Sequence, residues 1–335
     1  MSALSRPILL PNPGGTPATA SQLQRSAPDS VARRMASSTR VLIGGGVLSL
    51  IVAACVFSLP LTLRDSNRDH SPNLYFYDRQ HPQTRSSPQL QPAWQWFGTD
   101  TLGRGLLSRC LLGGAISLTI GVAAAAISVV LGVSVGLFAG YRGGWVDSLL
   151  MRSVDVLYGL PYILLVVLLK IAMEPAMTNH GVNASAANLV VLFLAIGLVS
   201  WLTMARVVRG QVLSLRRQPF IEACKASGLT EWRIFTRHLL PNLIGPIMVY
   251  ATLTVPQAIL QESFLSFLGI GIQPPVPTWG SLASDALLPG LNTIHAYPYM
   301  LIIPCVLLSV TLLSLNFLGD GLRDVFDPKR DTAKV

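Results

Sequence analysis

Six apolar runs recur along this 335-residue chain and constrain its fold more than any other feature. About twenty apolar residues cross a bilayer as an α-helix, which satisfies its own backbone hydrogen bonds inside the hydrocarbon. The predicted membrane helices are residues 41–63, 111–139, 156–173, 188–205, 243–261 and 299–318. The sequence therefore predicts an all-α polytopic membrane protein with six transmembrane helices.

Charge and cysteine usage exclude several other classes of protein. Only 12% of the residues are charged, whereas soluble domains carry about a quarter. The net charge of +9 does not indicate nucleic-acid binding, because the basic residues flank apolar runs. The four cysteines have no metal-ligand spacing, so we expect free thiols packed as small apolar groups.

The chain divides into five parts. Residues 1–40 are rich in Ser, Pro, Ala and Gln, which predicts a disordered cytoplasmic tail. Residues 41–63 form an uncleaved first helix, since a secretory signal begins nearer the N-terminus. Residues 64–105 are predicted as an extracytoplasmic loop, 106–320 as the core transmembrane domain, and 321–335 as a cytoplasmic tail.

A basic segment, residues 206–242, lies between the fourth and fifth apolar runs and reads as two short helices joined at a glycine. Pro219 suits the first turn of a helix, and Gly228 suits the left-handed position after its end. Thr230 is a candidate N-cap for the second helix, which is predicted to stop before Pro241.

One face of the first of these helices carries mostly small side chains, which allow another protein surface to come close. At i, i+3, i+4 and i+7 spacing it carries Phe220, Ala223, Cys224 and Ser227. A surface helix pair without a special role is the alternative interpretation.

The same segment resembles the E-A-A…G…L-P coupling loop of ABC-importer permeases. In that family the loop docks into a groove of the cytoplasmic ATPase subunit and transmits its motion to the membrane helices. The resemblance assigns coupling to Glu222, Ala223, Cys224, Gly228, Leu240 and Pro241. Cys224 replaces the usual alanine, which is a change between small residues.

Further segments, in the same order as in the family, extend the resemblance over residues 94–330. The G-T-D-x-L-G-R run from Gly98 is similar to one in the dipeptide and oligopeptide (peptide/nickel) importer permeases, where aspartate is usual at Gly105. The E-S-F-L-S-F-L-G run from Glu262 and the Asn316–Pro328 tail are also similar. We expect Thr99 or Asp100 to cap the next helix, with Arg104 and Arg109 on its wet side.

The resemblance implies the MetI-like, binding-protein-dependent ABC-importer fold, located in the cell inner membrane. It also implies the following interaction partners: a second related permease, two ATP-binding cassette subunits, a solute-binding protein and membrane lipid. No G-x-x-x-x-G-K-[ST] loop, catalytic constellation or metal motif occurs in the sequence. ATP would then be bound by the partners, with no catalytic site, metal or cofactor in this chain. Dipeptides, longer peptides and nickel chelates remain open as solutes.

The fifth apolar run carries three candidates for lining a transport pathway, Pro256, Gln257 and Gln261. Packing between helices is the alternative role for them. A secondary transporter or channel would need buried charges or an inverted repeat. We expect neither buried charges nor an inverted repeat in this chain. The ionisable residues Asp155, Lys170 and Glu262 fall at the ends of predicted spans, where snorkelling to the membrane surface or helix capping accounts for their charge.

The charge distribution predicts that both termini are cytoplasmic. With that orientation, the inner segments hold eighteen of the twenty-five Lys and Arg residues, and the outer loops after the third and fifth helices hold none. The first outer loop, with six arginines between Arg64 and Arg109, runs against this pattern.

Overall fold

The computed structural model describes residues 38–64, 74–81, 86–90, 92–287 and 297–326. The predicted tail up to residue 37, the end of the C-terminal tail from residue 327 and parts of two loops lie outside the described residues. Within the described ranges the chain is helical and contains only two isolated β-bridges. The α-helices are α1 Thr39–Leu63, α2 Leu106–Arg142, α3 Gly144–Tyr158, α4 Tyr162–Asn179, α5 Ala184–Arg216, α6 Pro219–Ala226, α7 Glu231–Ile234, α8 Leu240–Phe267, α9 Trp279–Asp285 and α10 Tyr299–Phe326.

Six helices of the described chain are long and apolar enough to cross a membrane, which confirms the predicted architecture. They are α1, α2, α4, α5, the continuous rod from α7 through α8, and α10. The hydrophobic core lies mainly where α2 and α5 pack together, joined by residues of α3, α4 and α8.

The third span was placed too early in the sequence. Most of the stretch between the second and third predicted spans belongs to the amphipathic helix α3, Gly144–Tyr158, which buries Met151 and Val154. The membrane helix α4 begins only at Tyr162, after Pro161 at its N-cap, and it extends beyond the predicted end at residue 173 to Asn179. Large apolar residues on the exposed side of α3, among them Trp145, Leu149 and Val156, obscure its helical period in the sequence.

Glycines let α2 approach α5 closely, as the small-residue content of that run predicts. A Cβ at Gly132 would lie 2.5 Å from the Met204 Cβ, and a Cβ at Gly136 would lie 2.5 Å from the Ala205 carbonyl oxygen. Gly140 faces Val212 in the same way, with 2.9 Å between the two Cβ positions.

We therefore expect Gly136→Ala to destabilise the folded protein by about 1–3 kcal/mol, because the added methyl overpacks the α2–α5 contact. Gly46→Ala is the matched control, since a Cβ there meets nothing within 4 Å and alanine favours the helix. Thermal unfolding in detergent measures both variants. Equal midpoints would contradict the close approach.

Two ionisable side chains expected at span ends are buried inside the bundle instead. Lys170 lies in the middle of α4, is 8% exposed and donates to the carbonyl oxygens of Ile270 and Gly271. Glu262 is fully buried and accepts hydrogen bonds from the Ser117 hydroxyl at 3.0 Å and the Ser266 hydroxyl at 2.7 Å. The expectation of snorkelling or capping was wrong, because the chain after α8 folds back onto the helices and supplies the partners of Lys170.

Candidate functional site

The turn between α6 and α7 closes as the sequence predicts. Gly228 has a φ of +71°, a left-handed conformation that favours glycine. Its N–H donates to the Lys225 carbonyl at 3.0 Å, and the Leu229 N–H donates to the Cys224 carbonyl at 3.2 Å. This Schellman pattern satisfies the last carbonyls of α6. The turn is therefore a defined structure rather than a loose loop.

The second helix does not stop before Pro241, so that prediction was wrong. A π-helical turn, Phe235–Leu239, joins α7 to α8 without interruption. The Leu240 N–H donates to the Phe235 carbonyl, and Pro241 follows directly after this turn, within the continuous helix. The α6–α7 turn is thereby joined to the membrane helix α8 without a break in the helix.

A small apolar cluster packs between the turn and the rest of the bundle. Ile221, Ile234 and Leu239 are fully buried or nearly so, and Cys224 and Leu229 pack against them. Cys224 thus faces the protein and does not share the exposed face predicted for it. Leu240 is half-buried and packs on the neighbouring cluster of α2, α5 and α8, and Pro241 is exposed.

The outer face of the turn is exposed and carries two large aromatic side chains. Trp232 is 72% exposed and Phe220 is 40% exposed. Glu222, Ala223 and Ser227 are exposed beside them. Four exposed cations surround this face: Arg217, Lys225, Arg233 and Arg237. Such an aromatic surface with a charged rim has the composition of a protein–protein contact.

Other arginines of the 206–242 segment fix it to the bundle. Arg209 makes a bidentate pair with Asp147 of α3, at 2.5 and 2.6 Å. Arg216 donates to the carbonyl oxygens of Gly140 and Tyr141 at the end of α2. The sequence counts these residues as loop charges, although in the structure they attach α5 to α2 and α3.

A cleft of about 450 Å³ opens between the α3–α4 turn, α5 and α8. Two of the three pathway candidates, Gln257 and Gln261, line this cleft, whereas Pro256 is buried within the helix packing. Sequence reasoning missed Tyr162 and Thr203, which also line the cleft. The available signal was a polar stripe along α8 at helical spacing, formed by Tyr250, Thr254, Gln257 and Gln261.

A charged cluster lies at the opposite end of the bundle from the α6–α7 turn. Asp100 accepts from the Arg104 Nε at 2.7 Å and from the Arg109 Nη1 at 3.2 Å. The side chains of both arginines are buried, so their predicted place on the wet side was wrong. Neither Thr99 nor Asp100 caps α2, because Gly105 occupies the N-cap. Burial raises the pKa of Asp285, which pairs with Arg109, and the arginine opposes that shift.

Comparisons with known proteins agree with this geometry. The family model described as "Binding-protein-dependent transport system inner membrane component" matches residues 132–332. That range contains α3–α10, the α6–α7 turn and all fifteen residues that line the cleft.

Individual relatives extend the similarity over most of the chain. The oligopeptide transport system permease protein OppC of Escherichia coli K12 is 42% identical over 298 residues, which cover 89% of this chain and 90% of that protein. The dipeptide transport system permease protein DppC of Bacillus subtilis is 45% identical over 249 residues, covering 74% and 73%. A chain of the inward-facing MetNI methionine ABC transporter has the same fold, with a TM-score of 0.53, 20% identity, and coverage of 66% and 97%.

Proposed function

Because the chain belongs to the family of inner membrane components of binding-protein-dependent transport systems, we propose that it is the permease subunit of an ATP-driven ABC importer for peptides. The relatives named as oligopeptide and dipeptide permeases support the peptide substrate. The observation that carries the proposal is the α6–α7 turn, a defined and exposed structure joined without a break to a membrane helix that lines a polar cleft.

Coupling is assigned to the exposed part of that turn. Trp232, Phe220 and Ala223 present the contact surface for an ATPase subunit, and the neighbouring Glu222 adds a carboxylate. Gly228 sets the angle between the two helices, while Cys224 and Leu240 hold them on the bundle. Pro241 lies where the π-helical turn passes into α8. A push on this face therefore moves α8 as a rod.

The chain has no ATPase site, metal or cofactor of its own in this assignment. Its sequence lacks a phosphate-binding glycine loop, so two ATP-binding cassette subunits bind the nucleotide. A second, related permease completes the wall of the pathway, and an extracytoplasmic binding protein delivers the solute. The excess of Lys and Arg at the α6–α7 end supports cytoplasmic termini in the inner membrane.

Reconstitution tests the proposal against an ion-coupled carrier. The complex that co-purifies with the chain from its native membrane is placed in proteoliposomes with its binding protein. We expect uptake of a labelled tripeptide only when ATP is available to the nucleotide-binding side and the binding protein is present. Uptake driven by a proton or sodium gradient without ATP would overturn the importer assignment in favour of a secondary transporter.

A further inference from the structure

We propose that the α3–α4/α5/α8 cleft is a binding station for the peptide backbone, in which Gln261 and Tyr162 read main-chain amide groups rather than side chains. This inference rests on the proposed function and specifies what the pathway recognises. It would make the permease itself, and not only the binding protein, selective for peptide bonds.

The first observation is the chemistry of the lining. The cleft has a volume of about 450 Å³, within the range of small-molecule sites. Its fifteen lining residues include no Asp, Glu, Lys, Arg or His among the described chain. The lining offers no complementary charge to a metal chelate or to the charged termini of a peptide, so any recognition here falls to neutral groups. A neutral amide does find partners, because hydroxyl and carboxamide groups both donate and accept.

The second observation is a set of polar groups without partners. The Gln261 Oε1 and the Tyr162 hydroxyl oxygen are buried and make no hydrogen bond with any described residue. Gln257 and Thr203 are exposed along the same cleft, and their side chains likewise make no hydrogen bond within the described ranges. Unpaired buried polar groups are costly in an apolar environment. A bound solute that supplies the missing partners relieves that cost.

Other polar side chains in the same cleft are hydrogen-bonded within their own helices, which sets these four groups apart. The hydroxyls of Thr254 and Ser200, also in the lining, donate to their own helices at the carbonyls of Tyr250 and Ile196, both at 2.8 Å. Helix packing alone satisfies those hydroxyls. Gln261 lies two turns beyond Thr254 on α8 and Tyr162 opens α4, so the two residues with unpaired buried oxygens line the cleft from two different helices.

The peptide backbone is the occupant that this pattern fits. Each peptide bond offers one N–H and one carbonyl at fixed spacing, whatever the side chains. Amide and hydroxyl groups on two walls can bind both without demanding a particular sequence. The apolar remainder of the lining, which includes Leu157, Leu165 and Leu253, accommodates varied side chains by non-directional contact.

The test compares a labelled alanine tripeptide with its backbone N-methylated analogue in the reconstituted complex. Wild type should take up the unmodified peptide about tenfold faster at subsaturating concentration, because N-methylation removes backbone donors. In Gln261→Met and in Tyr162→Phe this preference should shrink toward unity, with slower uptake of the unmodified peptide. Gln89→Met makes the same chemical change at an exposed residue outside the cleft and should keep the wild-type preference.

Separate readouts distinguish the possible failures. Affinity of both peptides for the isolated binding protein is measured, so that only discrimination by the permease is counted. If wild type shows no ATP-dependent uptake, the proposed function fails. If wild type transports and both variants keep its preference, the backbone station is overturned while the importer stands. If the variant complexes dissociate in size-exclusion chromatography, the two residues bind the partner permease instead, which also overturns the inference.

Discussion

Replacing Gly228 with proline should abolish ATP-dependent uptake while the chain remains inserted in the membrane. The native residue has a φ of +71°, whereas proline is held near −65°. Proline also removes the N–H that donates to the Lys225 carbonyl at 3.0 Å. The turn must then open, and Leu229 leaves the cluster of Ile221, Ile234 and Leu239 beneath it.

The consequence for coupling follows from where the turn lies. Trp232 and Phe220 form one surface only while α6 and α7 keep their angle, so the variant loses the contact face for the ATPase subunit. We expect the nucleotide-binding subunits to be lost from the purified complex. Uptake should fall to the level of empty proteoliposomes, a reduction of far more than tenfold.

Asparagine at the same position is the matched control. A Cβ at Gly228 meets nothing within 4 Å, so only the backbone conformation restricts substitution. Asparagine tolerates the left-handed region better than other side chains and keeps the N–H. Gly228→Asn should therefore retain the ATPase subunits and most of the uptake. Uptake by Gly228→Pro at the wild-type rate would remove the α6–α7 turn from the coupling mechanism.

The α6–α7 turn also shows how far local sequence predicts structure. Pro219 and Gly228 act through the conformation of their own backbone, so the start of α6 and the turn after it could be predicted correctly. Thr230 occupies the predicted N-cap position of α7, but its side chain makes no capping hydrogen bond. Pro241 acts the same way, yet its effect depends on the preceding π-helical turn. That turn absorbs the change in hydrogen-bond register, and no local signal at 235–239 predicts it.

Long-range partners account for the larger errors. Lys170 reads as a snorkelling residue because the carbonyls of Ile270 and Gly271 that hold it are a hundred residues away. The cleft depends in the same way on Tyr162 and Gln261, which separate helices bring to one surface. Only the stripe on α8 could be read in advance, because one helix carries it.

Arg104 and Arg109 gave the clearest error, and they lead to the second prediction. Spacing placed both on the wet side of a helix, but Asp100 allows them to be buried. Its two oxygens accept from the Leu102 N–H, the Arg104 N–H, the Arg104 Nε and the Arg109 Nη1, at 2.7–3.2 Å. The pair of arginines is therefore buried only as part of a network that also reaches Asp285.

Asp100→Ala should thus be among the most destabilising single changes in the chain, at about 3–5 kcal/mol, because it leaves two buried guanidinium groups without their main partner. Asp78→Ala is the matched control. Asp78 contacts Arg104 at 3.1 Å, but its side chain is 36% exposed, so its loss should cost at most about 1 kcal/mol.

Thermal unfolding of both variants in detergent, with size-exclusion profiles, measures the difference. Because the network joins the start of α2 to α9, we expect the Asp100 variant to lose solute uptake together with its fold. Similar midpoints for the two variants would mean that water, rather than Asp100, satisfies the arginines, which would return Arg104 and Arg109 to the wet side of the helix.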